Sequence, residues 1–341
     1  MKSWSRSPDR AKRDPGTDAP HGELLPGFRF AQPGLLVALL LLALLPLAAA
    51  AGERPEWAFG PEQPAPRRSD DGILKQAPGS AKFYTQAQID DPMHPPDWFP
   101  DEHPVMPRVV ARGNGTTVRA CIGCHLSNGH GHPENSRLPG ATAAYLARQL
   151  ADFRSGARAG VATTMINIAK GMSEDEMREA TEYFAGLKVM RWTRVVETQT
   201  VPKTYFHGNR RLPLPEGGSE PIADRIIEVP EQPARNALRD PHSGNISYVP
   251  VGSVARGEIL VATGGAGKTI ACAICHGPAL KGLGDVPGIA GQSPLTLARQ
   301  LHYMATGQRN GAMAALMHAV VAKLGADDIL AISAYVASRE P

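Results

Sequence analysis

A marked excess of charge of either sign is missing from this chain. Its 341 residues hold 36 Lys+Arg against 33 Asp+Glu, a net of +3, so it shows no electrostatic footprint for nucleic acid. Cysteine is scarce as well. The four present, Cys121, Cys124, Cys272 and Cys275, fall in two close pairs, and none is left over for a disulfide or a catalytic thiol. A long apolar run occurs at Leu35 to Ala51. Proline and glycine are plentiful, at 31 and 35 residues. That is more than a compact helical protein needs and predicts long irregular stretches. The length allows two modest domains plus connecting segments.

The cysteine pairs carry the chemistry. Cys121-Ile122-Gly123-Cys124-His125 and Cys272-Ala273-Ile274-Cys275-His276 both read C-x-x-C-H, the attachment pattern for c-type haem. Each sulfur can add to one haem vinyl group, and the adjacent histidine then lies under the ring to supply an axial nitrogen to iron. Zinc sites also use Cys-x-x-Cys pairs, but zinc leaves the matched His125 and His276 unexplained. A redox dithiol needs a thioredoxin-like setting that the flanks lack.

An internal repeat organises the rest. Leu146-Ala147-Arg148-Gln149-Leu150 returns as Leu297-Ala298-Arg299-Gln300-Leu301, at the spacing that separates Cys121 from Cys272. Gly156-Ala157-Arg158 returns as Gly307-Gln308-Arg309. After one inserted residue, Met165 matches Met317, Met177 matches Ile329 and Tyr183 matches Tyr335. Residues 107–190 and 251–341 are therefore two copies of one helical domain. A helix is expected over Val254–Val261 behind Ser253 as N-cap. Others are expected over Ala143–Arg154 and over Pro294–Ala305, the latter with Ser293 capping and proline first. Ser173 and Glu176 form a capping box for a last helix, whose Met177, Ala180, Tyr183, Phe184 and Leu187 share one face.

Three segments lie outside the repeat. Residues 1–51 pair a basic head with the apolar run and a small-residue end. They read as an export signal peptide or an uncleaved membrane anchor. Either places the remainder outside the cytoplasmic membrane, in the bacterial periplasm, soluble or tethered. Residues 52–106 read as an extended Pro-rich segment that wraps a domain, with Trp98, Phe99 and Met106 as apolar anchors. Residues 191–250 read as an irregular, partly extended strap, with β-prone stretches at Val195–Thr198 and Arg225–Val229.

A haem held by histidine needs a sixth ligand or an open site. Methionine sulfur suits an electron carrier, and Met165 and Met317 stand in register ahead of the last helix of each copy. Core packing is the plain alternative for both. Met313 is the rival in the second copy, but it breaks the repeat, and Met172 is assigned to the core. The second nitrogen of each proximal histidine needs a carbonyl acceptor; Pro287, or Ser136 in the first copy, is placed to provide one. Arg148, Arg158, Arg299 and Arg309 recur in register, and arginine forks suit haem propionates. Arg158 and Arg309, entering the methionine loop, are the better candidates. His130, His132, His302 and His318 lack counterparts and read as ordinary polar residues. Ala262 to Thr269 mimics a phosphate-binding loop but runs straight into the haem motif.

With the two C-x-x-C-H motifs, the L-A-R-Q-L helices, Met165, Met317 and the closing tyrosine helices in view, the chain resembles dihaem bacterial cytochromes c of the c4 type. The resemblance covers about residues 107–190 and 251–341. It implies an all-α protein, two tandem class I cytochrome c domains joined by the strap, with two covalently bound haems and His/Met iron in both. It implies a periplasmic one-electron carrier that takes electrons from a dehydrogenase or quinol-oxidising complex and delivers them to a terminal oxidase. The alternatives are a dihaem peroxidase, which needs one iron open to peroxide, and the haem subunit of a membrane-bound dehydrogenase.

Overall fold

The computed structural model describes residues 54–61, 69–115, 117–132, 135–160, 163–208 and 210–341. The signal or anchor expected at 1–51 lies outside the described residues. In chain order the helices are α1 (Gln86–Asp90), α2 (Arg108–Arg112), α3 (Ile122–His125), α4 (Ala143–Ser155), α5 (Thr163–Gly171), α6 (Glu174–Ala185), α7 (Pro233–Ala237), α8 (Ser253–Thr263), α9 (Ala273–His276), α10 (Pro294–Ala305), α11 (His318–Val321) and α12 (Ala326–Ser338). The strands are β1 (Thr193–Thr198), β2 (Thr200–Pro202), β3 (Thr204–His207), β4 (Arg210–Pro213), β5 (Ser219–Pro221), β6 (Ile227–Pro230), β7 (Asn245–Pro250), β8 (Gly282–Leu283) and β9 (Val286–Pro287).

Helices α2 to α6 build the first half. Thr142 caps α4 by accepting the Tyr145 N–H, and Gly156, at φ 82°, ends it; that left-handed turn costs glycine nothing. The Ser173–Glu176 capping box opens α6. Met177, Ala180, Tyr183 and Phe184 are buried at helical spacing on α6 and meet Leu146 and Phe153 of α4 in one core. Full burial of each large apolar side chain stabilises by about 1.5–3 kcal/mol.

Helices α8 to α12 build the second half, where α8 crosses α12. Gly257 marks the crossing: a Cβ there would lie 2.0 Å from the Ala331 carbonyl oxygen, so only glycine lets the backbones approach this closely. The α8 helix begins at Ser253, with Gly252 at φ 87° as its N-cap, so Ser253 is the first helical residue rather than the cap. The glycine-rich stretch 264–269 closes the C-terminal end of α8, the opposite end from the one that binds phosphate.

The expectation of an all-α chain fails between the halves. β1 pairs in parallel with β7, and β6 pairs antiparallel to β7, in one three-stranded sheet. β2 with β5 and β3 with β4 form two-stranded pairs. The β-prone stretch Val195–Thr198 lies within β1, while of Arg225–Val229 only residues 227–229 are strand, in β6. Pro202, Pro213, Pro221, Pro230 and Pro250 each end a strand, where a missing N–H does least harm. Ile226, Val249, Leu295, Leu330 and Ala334 join this sheet to the second half.

The segment before Met106 is more ordered than an extended wrap. It holds short 3-10 turns at Glu56–Ala58 and Pro100–Glu102, and α1 with a Thr85–Gln88 capping box. It touches both halves. Ala58 and Phe59 enter the second core, and Met106 packs on the first. Trp98 is buried, and its indole N–H donates to the Leu238 carbonyl at 2.7 Å.

Candidate haem sites

Each cysteine motif folds as one helical turn. Cys121 precedes α3, and the His125 N–H donates to its carbonyl at 2.9 Å. Cys272 and His276 repeat that bond at 2.9 Å around α9. One turn brings the two sulfurs and the imidazole to one side. Burial pushes the Cys121 thiol up to about 12 and the Cys272 thiol up to about 11. Thiols held protonated in this way are poor thiolate ligands or redox nucleophiles.

The imidazoles are oriented alike. His125 Nδ1–H donates to the Ser136 carbonyl at 3.1 Å, and His276 Nδ1–H to the Pro287 carbonyl at 2.8 Å. Pro287 lies in β9, paired with β8 as a small hairpin; the described residues of the first loop have no such hairpin. Burial pushes His125 down to about 4, opposed by the Ser136 bond and helped by the charge of Arg158. Burial also lowers His276, with the charge of Arg309 acting the same way. Both rings are therefore neutral at pH 7. With Nδ1 committed to a carbonyl, Nε2 keeps its lone pair for a metal.

The methionines share cores with these motifs. Met165, on α5, and Cys121 pack against the same buried cluster. Met317, between the 3-10 turn Ala314–Met317 and α11, packs with Cys272 against the second cluster. Met313 is half exposed, and Met172 is buried in the first core.

Arg158 and Arg309 meet where the halves join. They face each other across a short antiparallel bridge, with Ala159 N–H donating to the Gln308 carbonyl and Asn310 N–H to the Ala157 carbonyl, both at 2.7 Å. Arg158 donates to the side-chain oxygens of Gln149 (2.9 Å) and Gln300 (3.1 Å). Arg309 donates to Gln300, Gln149 and the Tyr145 hydroxyl, each at 2.9 Å. Burial and the neighbouring Arg309 push Arg158 down to about 9. Arg309 Nε has no acceptor. Two clustered guanidiniums held only by neutral acceptors, each close enough to act on its own half's imidazole, suit carboxylates arriving with a ligand. The donor set fits a haem in each half. Cys121, Cys124, His125 and Met165 would hold one, and Cys272, Cys275, His276 and Met317 the other.

Arg148 and Arg299 part company with that pair. Arg148 reaches across to Asp285 at 3.0 Å, and Arg299 donates to the Ala58 carbonyl and the Thr296 hydroxyl. Gln149, Gln300 and Tyr145 were not singled out from sequence as site residues. The two glutamines stood in plain view inside the L-A-R-Q-L repeat, where they served only as register marks. His130 and His132 are buried among hydrogen bonds to Asn128, Met190 and Asn236, and His302 packs on Phe59.

No protein-family model matches the chain. Among curated proteins it is similar to the thiosulfate dehydrogenase electron acceptor of Thiomonas intermedia, 26% identical over 223 residues, covering 64% of this chain and 78% of that protein. It is similar to cytochrome c4 of Azotobacter vinelandii, 42% identical over 72 residues, 20% of this chain and 34% of that one. Cytochrome c-554(548) of Halomonas halodenitrificans is 38% identical over 80 residues, 23% of this chain and 96% of that protein.

Proposed function

The chain belongs to the c4-type bacterial cytochromes c and carries covalently bound c-type haem; from that premise we propose that it holds two haems and works as a one-electron carrier in the bacterial periplasm. The observation that carries this reading is the duplicated site: in each half a neutral histidine is fixed through Nδ1 to a carbonyl, and a methionine shares the core of the attachment cysteine.

Haem iron supplies reversible one-electron chemistry. The chain's residues set its terms. Ser136 and Pro287 fix the imidazole rings so that they need not turn during transfer. Met165 and Met317 would supply the sulfur donor to each haem and so leave no position open to peroxide or oxygen. Arg158 and Arg309 would compensate the charge of the haem carboxylates. An electron arriving at one half can then leave from the other.

For the donor, we place a thiosulfate dehydrogenase first, since a relative matched over most of its length is an electron acceptor of that enzyme. A terminal oxidase is the proposed acceptor, and Leu35–Ala51 the proposed leader or tether. The test mixes oxidised holoprotein with thiosulfate, with and without thiosulfate dehydrogenase, and separately adds peroxide to the half-reduced protein. Reduction that depends on the dehydrogenase, with negligible peroxide turnover, is expected. Rapid peroxide consumption would replace the carrier with a dihaem peroxidase.

A further inference from the structure

Glu228 is a carboxylic acid with no exposure to solvent, in the middle of β6. Hydroxyls and a guanidinium surround it. The Thr193 hydroxyl on β1 donates to Oε1 at 3.2 Å, and the Ser293 hydroxyl donates to Oε2 at 2.6 Å. Ser247 faces it from β7, and Arg299 from α10 supplies the nearby positive charge. Ser293 also caps α10. It sits in the loop whose Pro287 carbonyl holds His276. The acid is thus fastened to the segment that orients the second candidate iron ligand.

Behind Thr193 and Ser293 lies a small cavity of about 10 Å³, room for about one water. Thr193 and Ser293 line it, together with His130, His132, Arg137 and Asn245. His132 Nε2, Arg137 Nε and Asn245 Oδ1 have no other partner. Two donors and an acceptor without protein partners, on residues that line one cavity, suit a water that can pass a proton. The bases around the cavity do not compete for that proton. Burial holds His130 down at about 4 and His132 well below its usual range, while Arg137, lowered to about 10, stays charged.

We propose that Glu228 is a proton-loading site, which takes up one proton through this cavity when the second half gains an electron and gives it back on oxidation. The balance is one electron from the redox donor and one proton from the bulk hydronium pool: the haem iron would go from ferric to ferrous while the Glu228 carboxylate becomes the acid. Coulomb repulsion between the added electron and the carboxylate is the coupling. Burial supports the assignment by raising Glu228 to about 7, so both forms are populated near neutral pH. The proposal rests on the carrier reading.

The test measures both haem midpoint potentials of the holoprotein between about pH 6 and pH 8, with redox difference infrared spectra across the carboxylic acid C=O region. In the wild type one potential falls as pH rises, and reduction brings up a protonated-carboxyl band. Glu228→Gln flattens that potential and abolishes the band. Pro287 and Ser136 still orient the histidines in this variant, so its visible spectrum stays wild-type. Should the variant fail to fold, the wild type alone decides: two pH-independent potentials, or no carboxyl band on reduction, overturn the proposal. A failed carrier reading shows instead as peroxide turnover.

Discussion

Met165 and Met317 can be told apart from ordinary core methionines by what each removes when lost. Met165→Ala is expected to abolish the methionine-to-iron charge-transfer absorption of one haem and leave the other. Met317→Ala should do the converse. Loss of packing costs about 2 kcal/mol in either case, the low end for a partly buried side chain, and unchanged spectra would reject the ligand assignment. Glu228 sets a pH dependence of stability. Its folded value, about 7, lies above the ordinary 4.5. Below that ordinary value the acid is protonated in both states and costs nothing. As pH rises toward 7 the unfolded chain releases the proton and the folded chain keeps it. Stability therefore falls across this window, by about 3 kcal/mol in all, and then levels off. Denaturant unfolding of the holoprotein from acid to neutral pH should show this fall, and Glu228→Gln should lack it.

Helices with strong end signals are legible in the sequence. Ser173 with Glu176, and Ser293 with Pro294, mark their helix starts by chemistry local to four residues. The strands between the halves were harder to read, because their partners are distant. Thr193–Thr198 finds its neighbour at Asn245–Pro250, and prolines that look like breaks turn out to be strand ends. The crossing of α8 and α12 was invisible for a related reason. Gly257 reads as a weak spot in a helix, yet its value lies in the Ala331 and Tyr335 atoms on the other one. Gly257→Ala should destabilise the second half by about 1–3 kcal/mol through overpacking, read as a lower denaturant midpoint with an unchanged haem spectrum.

Across the whole molecule, the repeat marks two similar helical stretches, and the resemblance it carries implies covalently bound c-type haem. It did not announce how the halves meet. The Gln149–Arg158–Arg309–Gln300 cluster requires two copies facing each other, which a one-dimensional register cannot show. Gly160, at φ 73°, lies against the Tyr303 ring, where a Cβ would come within 2.5 Å. Gly160→Val should therefore part the short ladder between the halves. A single thermal transition in the wild type is expected to split into two in the variant, seen by calorimetry of the holoprotein.

The way the chain enters and leaves the sheet has its own consequence. Trp192 accepts a hydrogen bond from Asn245 N–H at 2.8 Å, so residues 193–244 depart from and come back to nearly the same point. That excursion is fastened along its length as well as at its root: Ile226 packs with Leu295 and Leu330 of the second half, and Arg239 donates to the Gly123 carbonyl inside the first cysteine motif. Cutting out residues 193–244 would therefore loosen both halves together, because one loop of chain clasps the two.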